Sequence, residues 1–198
     1  AKDCGRHHYE WAYGPADPQH FADFLGSLVR RYGADIRHWE IWNEPNLPGW
    51  WRPRPDPAAY TALVRAAYPA IKAADPSATV LAGSLGPFDR DDSYATSSVA
   101  YLEAMYRAGA RGSFDGLALH PYTDGKSPDA FDPGWPTYSF ERFVTSARDV
   151  MRRQGDPSPI WLTEIGWTTL PQRYCVDCWT DICVTEAEQA AYLERAVR

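Results

Sequence analysis

Residues 78–83 read Ala-Thr-Val-Leu-Ala-Gly, and residues 116–119 read Gly-Leu-Ala-Leu. Both runs carry apolar side chains at odd and even positions alike. Because successive side chains of a β-strand point to opposite faces, such runs indicate strands that are covered on both faces. Strands of this kind are typical of parallel sheets packed between helices or closed into a barrel.

Four β-rich runs are expected in all, at residues 36–42, 78–83, 114–120 and 160–165, and they start about 35 to 45 residues apart, a spacing that fits one strand plus one helix. Five helices are expected, over residues 18–32, from residue 57, over 98–108, over 140–153 and from Thr185. Two of them begin at Asp-Pro pairs, and Thr185 with Glu188 forms a capping-box pattern. The apolar faces of the first two helices are Phe21, Phe24, Leu25, Leu28 and Val29, and Tyr60, Leu63, Val64, Ala67 and Ile71.

The regular alternation predicts an α/β fold with a parallel sheet. Two architectures fit, an open doubly wound sheet and a (β/α)8 TIM barrel. The glycine-rich phosphate loop that usually accompanies the first is absent from the sequence.

Composition excludes several classes of protein. The net charge of the 198 residues is -6 and the basic residues are scattered, so we expect no nucleic-acid partner. No apolar run approaches the roughly 18 to 20 residues of a membrane-spanning helix, so we expect no membrane span. The 9 Trp and 12 Tyr suit either a sugar-binding cleft or a large core.

Polar residues follow three of the expected strands. Residues 38–46 read His-Trp-Glu-Ile-Trp-Asn-Glu-Pro-Asn, residues 117–122 read Leu-Ala-Leu-His-Pro-Tyr, and residues 161–167 read Trp-Leu-Thr-Glu-Ile-Gly-Trp. In a barrel these positions share the C-terminal rim, where active sites lie. The pair Glu44 and Glu164 therefore fits glycoside hydrolysis, in which one carboxyl protonates the leaving oxygen and another attacks or stabilises the anomeric carbon.

These motifs resemble the clan A glycoside hydrolase barrels, most closely the cellulase-like and family 39-like enzymes. The resemblance implies that Glu44 ends barrel strand 4 as the acid/base and that Glu164, 120 positions later, ends strand 7 as the nucleophile. It implies a retaining hydrolase that cleaves β-glycosidic bonds of an oligo- or polysaccharide, without cofactor or metal. A catalytically silent carbohydrate-binding relative is the alternative, and retention of both glutamates argues against it.

The resemblance also implies substrate-binding residues. Asn43 would bind the sugar 2-hydroxyl, His120 and Tyr122 would orient the nucleophile and the sugar, and Trp167 would form a platform under the reacting ring. His120 could instead be a satisfied core histidine.

Trp50 and Trp51 could stack on sugars or simply pack against each other. Glu40 has the same strand parity as Glu44 but sits deeper, so we expect a buried, hydrogen-bonded structural carboxylate.

Numbering the first strand as barrel strand 4 leaves strands 1 to 3 and 8 outside the chain. We therefore expect residues 1–198 to be a partial catalytic domain of a longer protein, covering strands 4 to 7, and to fold poorly alone because the sheet has two open edges. The oligomeric state is left open.

The four cysteines are Cys4, Cys175, Cys178 and Cys183. Disulfides, a metal site and free thiols are all compatible with their spacing, but a zinc site would need a fourth ligand near the loop cluster. We expect that Cys175, Cys178 and Cys183 bind no metal and that at least two cysteines are oxidised, as in an extracellular or secreted protein. The loop at residues 174–184 is expected to overhang the cleft.

Overall fold

The computed structural model describes residues 12–91, 96–131, 133–134, 136, 139–169 and 183–198. Strands and helices alternate along these residues. The strands are β1 (His38–Glu40), β2 (Thr79–Leu85), β3 (Gly116–Leu119) and β4 (Ile160–Leu162), and the helices are α1 (Pro18–Tyr32), α2 (Pro57–Ala74), α3 (Ser98–Arg107), α4 (Phe140–Arg153) and α5 (Glu186–Ala196). The sheet order is β1-β2-β3-β4 and every pairing is parallel, which confirms the predicted alternation.

The helix starts follow the predicted caps. The Asp17 side chain accepts a hydrogen bond from the Gln19 backbone at the start of α1. The Asp56 side chain accepts from the Ala58 backbone N–H at the start of α2. The capping box of Thr185 and Glu188 begins α5. These side chains satisfy N–H groups that the first helical turn leaves without partners. Of the helices in the described ranges, none has the length and apolar character needed to cross a membrane.

The predicted inner face of α2 is confirmed, since all five of its residues are buried. The prediction for α1 is wrong at Phe24, which is 57% exposed. Here the buried stripe includes the small residues Ala22 and Gly26. A Cβ atom at Gly26 would lie 3.5 Å from the Ala70 backbone oxygen of α2. This close approach turns the helix so that Phe24 faces outward.

The central strands β2 and β3 are buried almost throughout, whereas β1 and β4 are partly exposed. The two outer strands are also shorter than predicted. The backbone of Trp42 enters the left-handed region, with a φ of 69°, directly after the end of β1. Extended structure stops there, whatever the β propensity of the side chains.

The sheet is strongly curved. The His38 and Trp161 rings of β1 and β4 lie 5.0 Å apart, and Thr163 Oγ1 donates to Glu40 Oε1 at 2.8 Å. Three strand spacings would separate these edges by about 14 Å in a flat sheet. The inner side chains meet only because the sheet curls as a barrel wall does. The fold is thus a partial (β/α) barrel rather than an open sheet, and its apolar core lies between the sheet and the helices.

Candidate active site

The backbone after β1 is strained where it presents Glu44. Trp42 and Glu44 both have positive φ, at 69° and 41°, which side chains other than glycine rarely adopt. The Glu44 N–H donates to the Ser84 carbonyl at 3.1 Å, which ties this segment to β2. Strained residues of this kind cluster at functional sites.

A bulge in β2 supports the same segment. The register with β3 shifts between Ala82 and Leu85, and Gly83 and Ser84 lie at φ 101° and 48°. A Cβ atom at Gly83 would lie 3.0 Å from the Ala118 backbone oxygen, and together with the positive φ this close approach favours glycine. The bulge aims the Ser84 hydroxyl at Glu40 Oε1, to which it donates at 2.7 Å.

The two candidate catalytic carboxylates converge on His120. Its Nδ1 lies 3.2 Å from Glu44 Oε1 and 3.5 Å from Glu164 Oε2, and the ligand atoms of the three residues all lie within 4.8 Å of one another. Solvation differs between the carboxylates, because the Glu44 side chain is 12% exposed and that of Glu164 is 45% exposed. The structure thus brings together residues from the ends of β1, β3 and β4.

His120 is the positive centre of the site. Burial alone would lower the pKa of its imidazole, but the contacts with Glu40 and Glu44 and the charge of Glu164 raise that pKa to about 9. The ring is therefore an imidazolium at neutral pH, with a nitrogen facing carboxylates on either side. This environment favours the predicted role of His120 in orienting the nucleophile over that of a core histidine with only structural hydrogen bonds.

Glu40 differs from its prediction. It is hydrogen-bonded as expected, by Ser84 and Thr163, but its side chain is 29% exposed rather than buried. Burial opposes ionisation of Glu40, yet the nearby charge of His120 and the hydrogen bonds from Ser84 and Thr163 hold its pKa below its usual value.

Tyr122 lies beside the candidate nucleophile, and its hydroxyl donates to Glu164 Oε2 at 3.1 Å. Burial, the charge of Glu164 and this hydrogen bond raise the pKa of Tyr122 to about 12. The phenol therefore keeps its proton near neutral pH and can hold the Glu164 carboxylate in place.

The predicted tryptophan platforms are placed differently from one another. Trp51 is only 5% exposed and packs edge-on against Trp42 and Tyr60, so it is a core residue and the prediction that it stacks on sugar is wrong. Trp50 is 37% exposed, and its binding role stays a prediction.

Trp167 does not form an open platform. It is buried, with an edge-on contact to Tyr192, and its indole N–H points to Thr123 Oγ1 and the Lys126 carbonyl. The indole therefore anchors the loop after β3, which corrects the prediction of a ring lying open under the sugar. Asn43 is half-buried between the two strained residues, and its role stays a prediction.

Sequence reasoning missed the contribution of Asn46. This buried amide donates to the Gly86 carbonyl at 2.9 Å and accepts from the Gly86 N–H at 3.1 Å. It joins the segment after β1 to the segment after β2, directly beside Glu44. The sequence signal for Asn46 was its place two residues after the candidate catalytic residue Glu44.

Carboxylate and imidazole groups so close together could in principle surround a metal ion. A protonated imidazole has no free lone pair for a cation, so the charge state described above opposes such binding. The absence of a metal requirement stays a prediction.

Among the cysteines, Cys183 is disulfide-bonded. Cys4, Cys175 and Cys178 lie outside the described residues, as does most of the loop at 174–184, so its predicted position over the cleft stays a prediction.

Comparison with solved structures identifies the class of fold. No protein-family profile and no curated protein sequence matches the chain. A family 39 glycoside hydrolase from Bacteroides cellulosilyticus WH2 aligns with a TM-score of 0.59 at 24% identity, over 91% of this chain and 34% of that one.

Two further structures give the same result. The family 39 enzyme from Xanthomonas axonopodis pv. citri aligns with a TM-score of 0.53 at 25% identity, over 83% of this chain and 33% of that one. A glucosidase from Croceicoccus marinus aligns with a TM-score of 0.61 at 15% identity, over 93% of this chain and 36% of that one. The chain therefore has the fold of the clan A glycoside hydrolase barrels and spans about a third of the length of these structures.

Proposed function

We propose that this chain carries the catalytic glutamates of a retaining glycoside hydrolase that cleaves β-glycosidic bonds of an oligo- or polysaccharide. The observation that carries the proposal is the approach of the Glu44 and Glu164 carboxylates, since one oxygen atom of each lies within 4.8 Å of one oxygen atom of the other. Retaining enzymes hold their carboxyl groups about 5 to 5.5 Å apart, whereas inverting enzymes leave about 6.5 to 9.5 Å for a water molecule. The narrow gap supports retention.

Glu164 acts as the nucleophile in the first step. Its ionised carboxylate attacks the anomeric carbon while the bond from that carbon to the leaving oxygen breaks, and Glu44 gives its proton to that oxygen. The hydrogen bond from Tyr122 and the contact with His120 hold the Glu164 carboxylate in its orientation before attack.

The second step reverses these roles. Formation of the glycosyl ester removes the negative charge of Glu164, and Glu44 is left as a carboxylate beside the imidazolium of His120. Glu44 then takes a proton from water as the water oxygen attacks the anomeric carbon, and Glu164 leaves as a free carboxylate. Two inversions at the same carbon give net retention.

The experiment uses the natural full-length protein and nitrophenyl glycosides of both anomeric configurations. Glu164→Ala should lower kcat at least about a thousandfold with every substrate, because no ester can form. Glu44→Ala should still form the ester from a good leaving group, and azide should restore turnover and yield a β-azide. Glu141→Ala, an exposed change in the first turn of α4, serves as the matched control.

Different failures have different meanings. Azide rescue of Glu164→Ala with an inverted product, together with an inert Glu44→Ala, would reverse the roles. A wild-type protein that binds oligosaccharides but hydrolyses none would be the silent carbohydrate-binding relative. We also propose an extracellular location, supported by the disulfide at Cys183.

A further inference from the structure

A cavity of about 370 Å³ lies beside the candidate nucleophile, between the loops that follow β3 and β4. Its lining residues are Tyr122, Asp124, Gly125, Gly166, Trp167 and Thr168. Tyr122 belongs both to this wall and to the catalytic site, since its hydroxyl donates to Glu164. Glu44 follows β1, at the opposite edge of the sheet. The cavity thus lies beside Glu164, between the loops that follow the two strands farthest from β1 in the sheet order.

The wall that carries Asp124 is pre-formed. Asp124 and Gly125 have φ values of 47° and 78°, and the Lys126 N–H donates to the Thr123 carbonyl at 3.0 Å. These features define a tight turn of the type that needs two left-handed residues, a conformation that Asp and Gly tolerate. The Trp167 indole donates to both ends of the turn and fixes it.

The chemistry of the lining suits a sugar ring. Small-molecule sites are mostly apolar with a few polar groups that fix orientation, and they measure about 300 to 1,000 Å³. This cavity is at the small end of that range. Asp124 supplies a carboxylate to which no described residue donates a hydrogen bond, so its oxygens remain able to accept from hydroxyl groups.

We infer that this cavity binds a second glycosyl unit of the substrate, next to the unit held between Glu44 and Glu164, and that Asp124 accepts hydrogen bonds from its hydroxyl groups. The inference rests on the proposed function for its substrate class. Desolvation by neighbouring atoms raises the pKa of Asp124, against the charge of Lys126, but the carboxyl need not change its protonation state for this role.

Gly166 offers a direct way to fill the cavity. A Cβ atom at this position would meet no atom of the described residues within 4 Å, and the φ of Gly166 lies outside the left-handed region. The leucine side chain of Gly166→Leu should therefore extend into open space without disturbing the fold. The smaller side chain of Gly166→Ala should fill less of the cavity. Asp124→Asn removes the charge and keeps a residue that tolerates positive φ.

The test compares two kinds of substrate in the natural full-length protein. Gly166→Leu should raise KM for cellotriose or xylotriose about tenfold or more, and by a larger factor than it raises KM for nitrophenyl monosaccharides. Gly166→Ala should give a smaller rise, and Asp124→Asn a rise of about tenfold. Asp149→Asn, an exposed change on α4, is the matched control and should alter neither substrate.

A binding measurement separates this inference from the proposed catalysis. In a Glu164→Gln background, calorimetry should give a trisaccharide Kd that rises about tenfold with Gly166→Leu. If the wild type hydrolyses glycosides but Gly166→Leu leaves both the KM and the Kd for the trisaccharide unchanged, the proposed site for a second glycosyl unit is wrong and the hydrolase proposal stands. If nothing is hydrolysed but Gly166→Leu still weakens trisaccharide binding, the catalytic proposal fails and the sugar site stands. Absence of trisaccharide binding to the wild type overturns the site.

Discussion

Replacing Glu40 with glutamine should lower the pKa of His120 by about one unit. Glu40 Oε1 lies 3.8 Å from His120 Nε2, and the imidazole is fully buried. Glutamine keeps an oxygen that can accept from the Ser84 and Thr163 hydroxyls, so the substitution removes mainly the negative charge.

The size of the effect follows from Coulomb's law. Two unit charges 3.8 Å apart interact by about 4 kcal/mol at an effective dielectric constant near 20. Because the Glu40 side chain is 29% exposed, solvent screens the pair, and about 1 to 2 kcal/mol is the appropriate range. Since one pKa unit corresponds to about 1.4 kcal/mol, the pKa should fall from about 9 to about 8.

Histidine-selective NMR titration of the natural full-length protein measures this directly, with the His120 signal assigned by its loss in His120→Gln. Glu141→Gln, an exposed change at the start of α4, should leave the titration of His120 untouched. A wild-type His120 that titrates at or below 6.5, or one whose pKa is the same in Glu40→Gln, would falsify the electrostatic account of the site.

The raised pKa of His120 makes the free energy of unfolding depend on pH. A folded pKa of about 9, above the ordinary 6.5, means that protonated His120 stabilises the fold fully below pH 6.5 and loses this effect as pH rises through 9. Glu40→Gln should therefore cost about 1 to 2 kcal/mol of unfolding free energy at pH 6. The charge-dependent part of this cost should vanish by about pH 10 in urea unfolding.

Two further predictions concern packing beside Glu44 and the cysteines. A Cβ atom at Gly86 would lie 2.9 Å from Glu44 Oε1, so Gly86→Ala should displace the carboxylate and lower kcat about tenfold or more, at a stability cost of about 1 to 3 kcal/mol. Gly49→Ala is the control, because a Cβ atom there meets no atom of the described residues within 4 Å, and equal activity of the two variants in a glycosidase assay would contradict the argument. Titration of denatured, unreduced protein should find at least two cysteines oxidised, Cys183 among them, and four free thiols would refute it.

Local signals predicted most of the fold. Caps such as Asp56 act within one turn of helix, and the spacing of apolar residues on α2 repeats with the helix itself, so both can be read without knowledge of distant contacts. Phe24 shows where this reasoning ends. Its exposure depends on the close approach of Gly26 to α2, which no pattern within α1 encodes.

The candidate site was predictable to a similar degree. Glu44 and Glu164 follow strands, and parallel strands place such residues on one rim. The burial of Trp51 against Trp42 and the open surroundings of Glu40 depend on the path of the loop and on the curvature of the sheet. Neither is a property of the local sequence.

The strained backbone shows how the local sequence and the long-range packing of the sheet act together at the site. Trp42, Glu44 and Ser84 each occupy a left-handed conformation, which costs on the order of 1 to 3 kcal/mol per residue. The Glu44 N–H is hydrogen-bonded to the Ser84 carbonyl, and the Ser84 hydroxyl is bonded to Glu40 on the preceding strand. Glu44 and Ser84 are thus each held by a partner distant in sequence, so their strain depends on the pairing of β1 with β2. Correct positioning of Glu44 is therefore a consequence of the complete sheet rather than of the Asn-Glu-Pro motif alone.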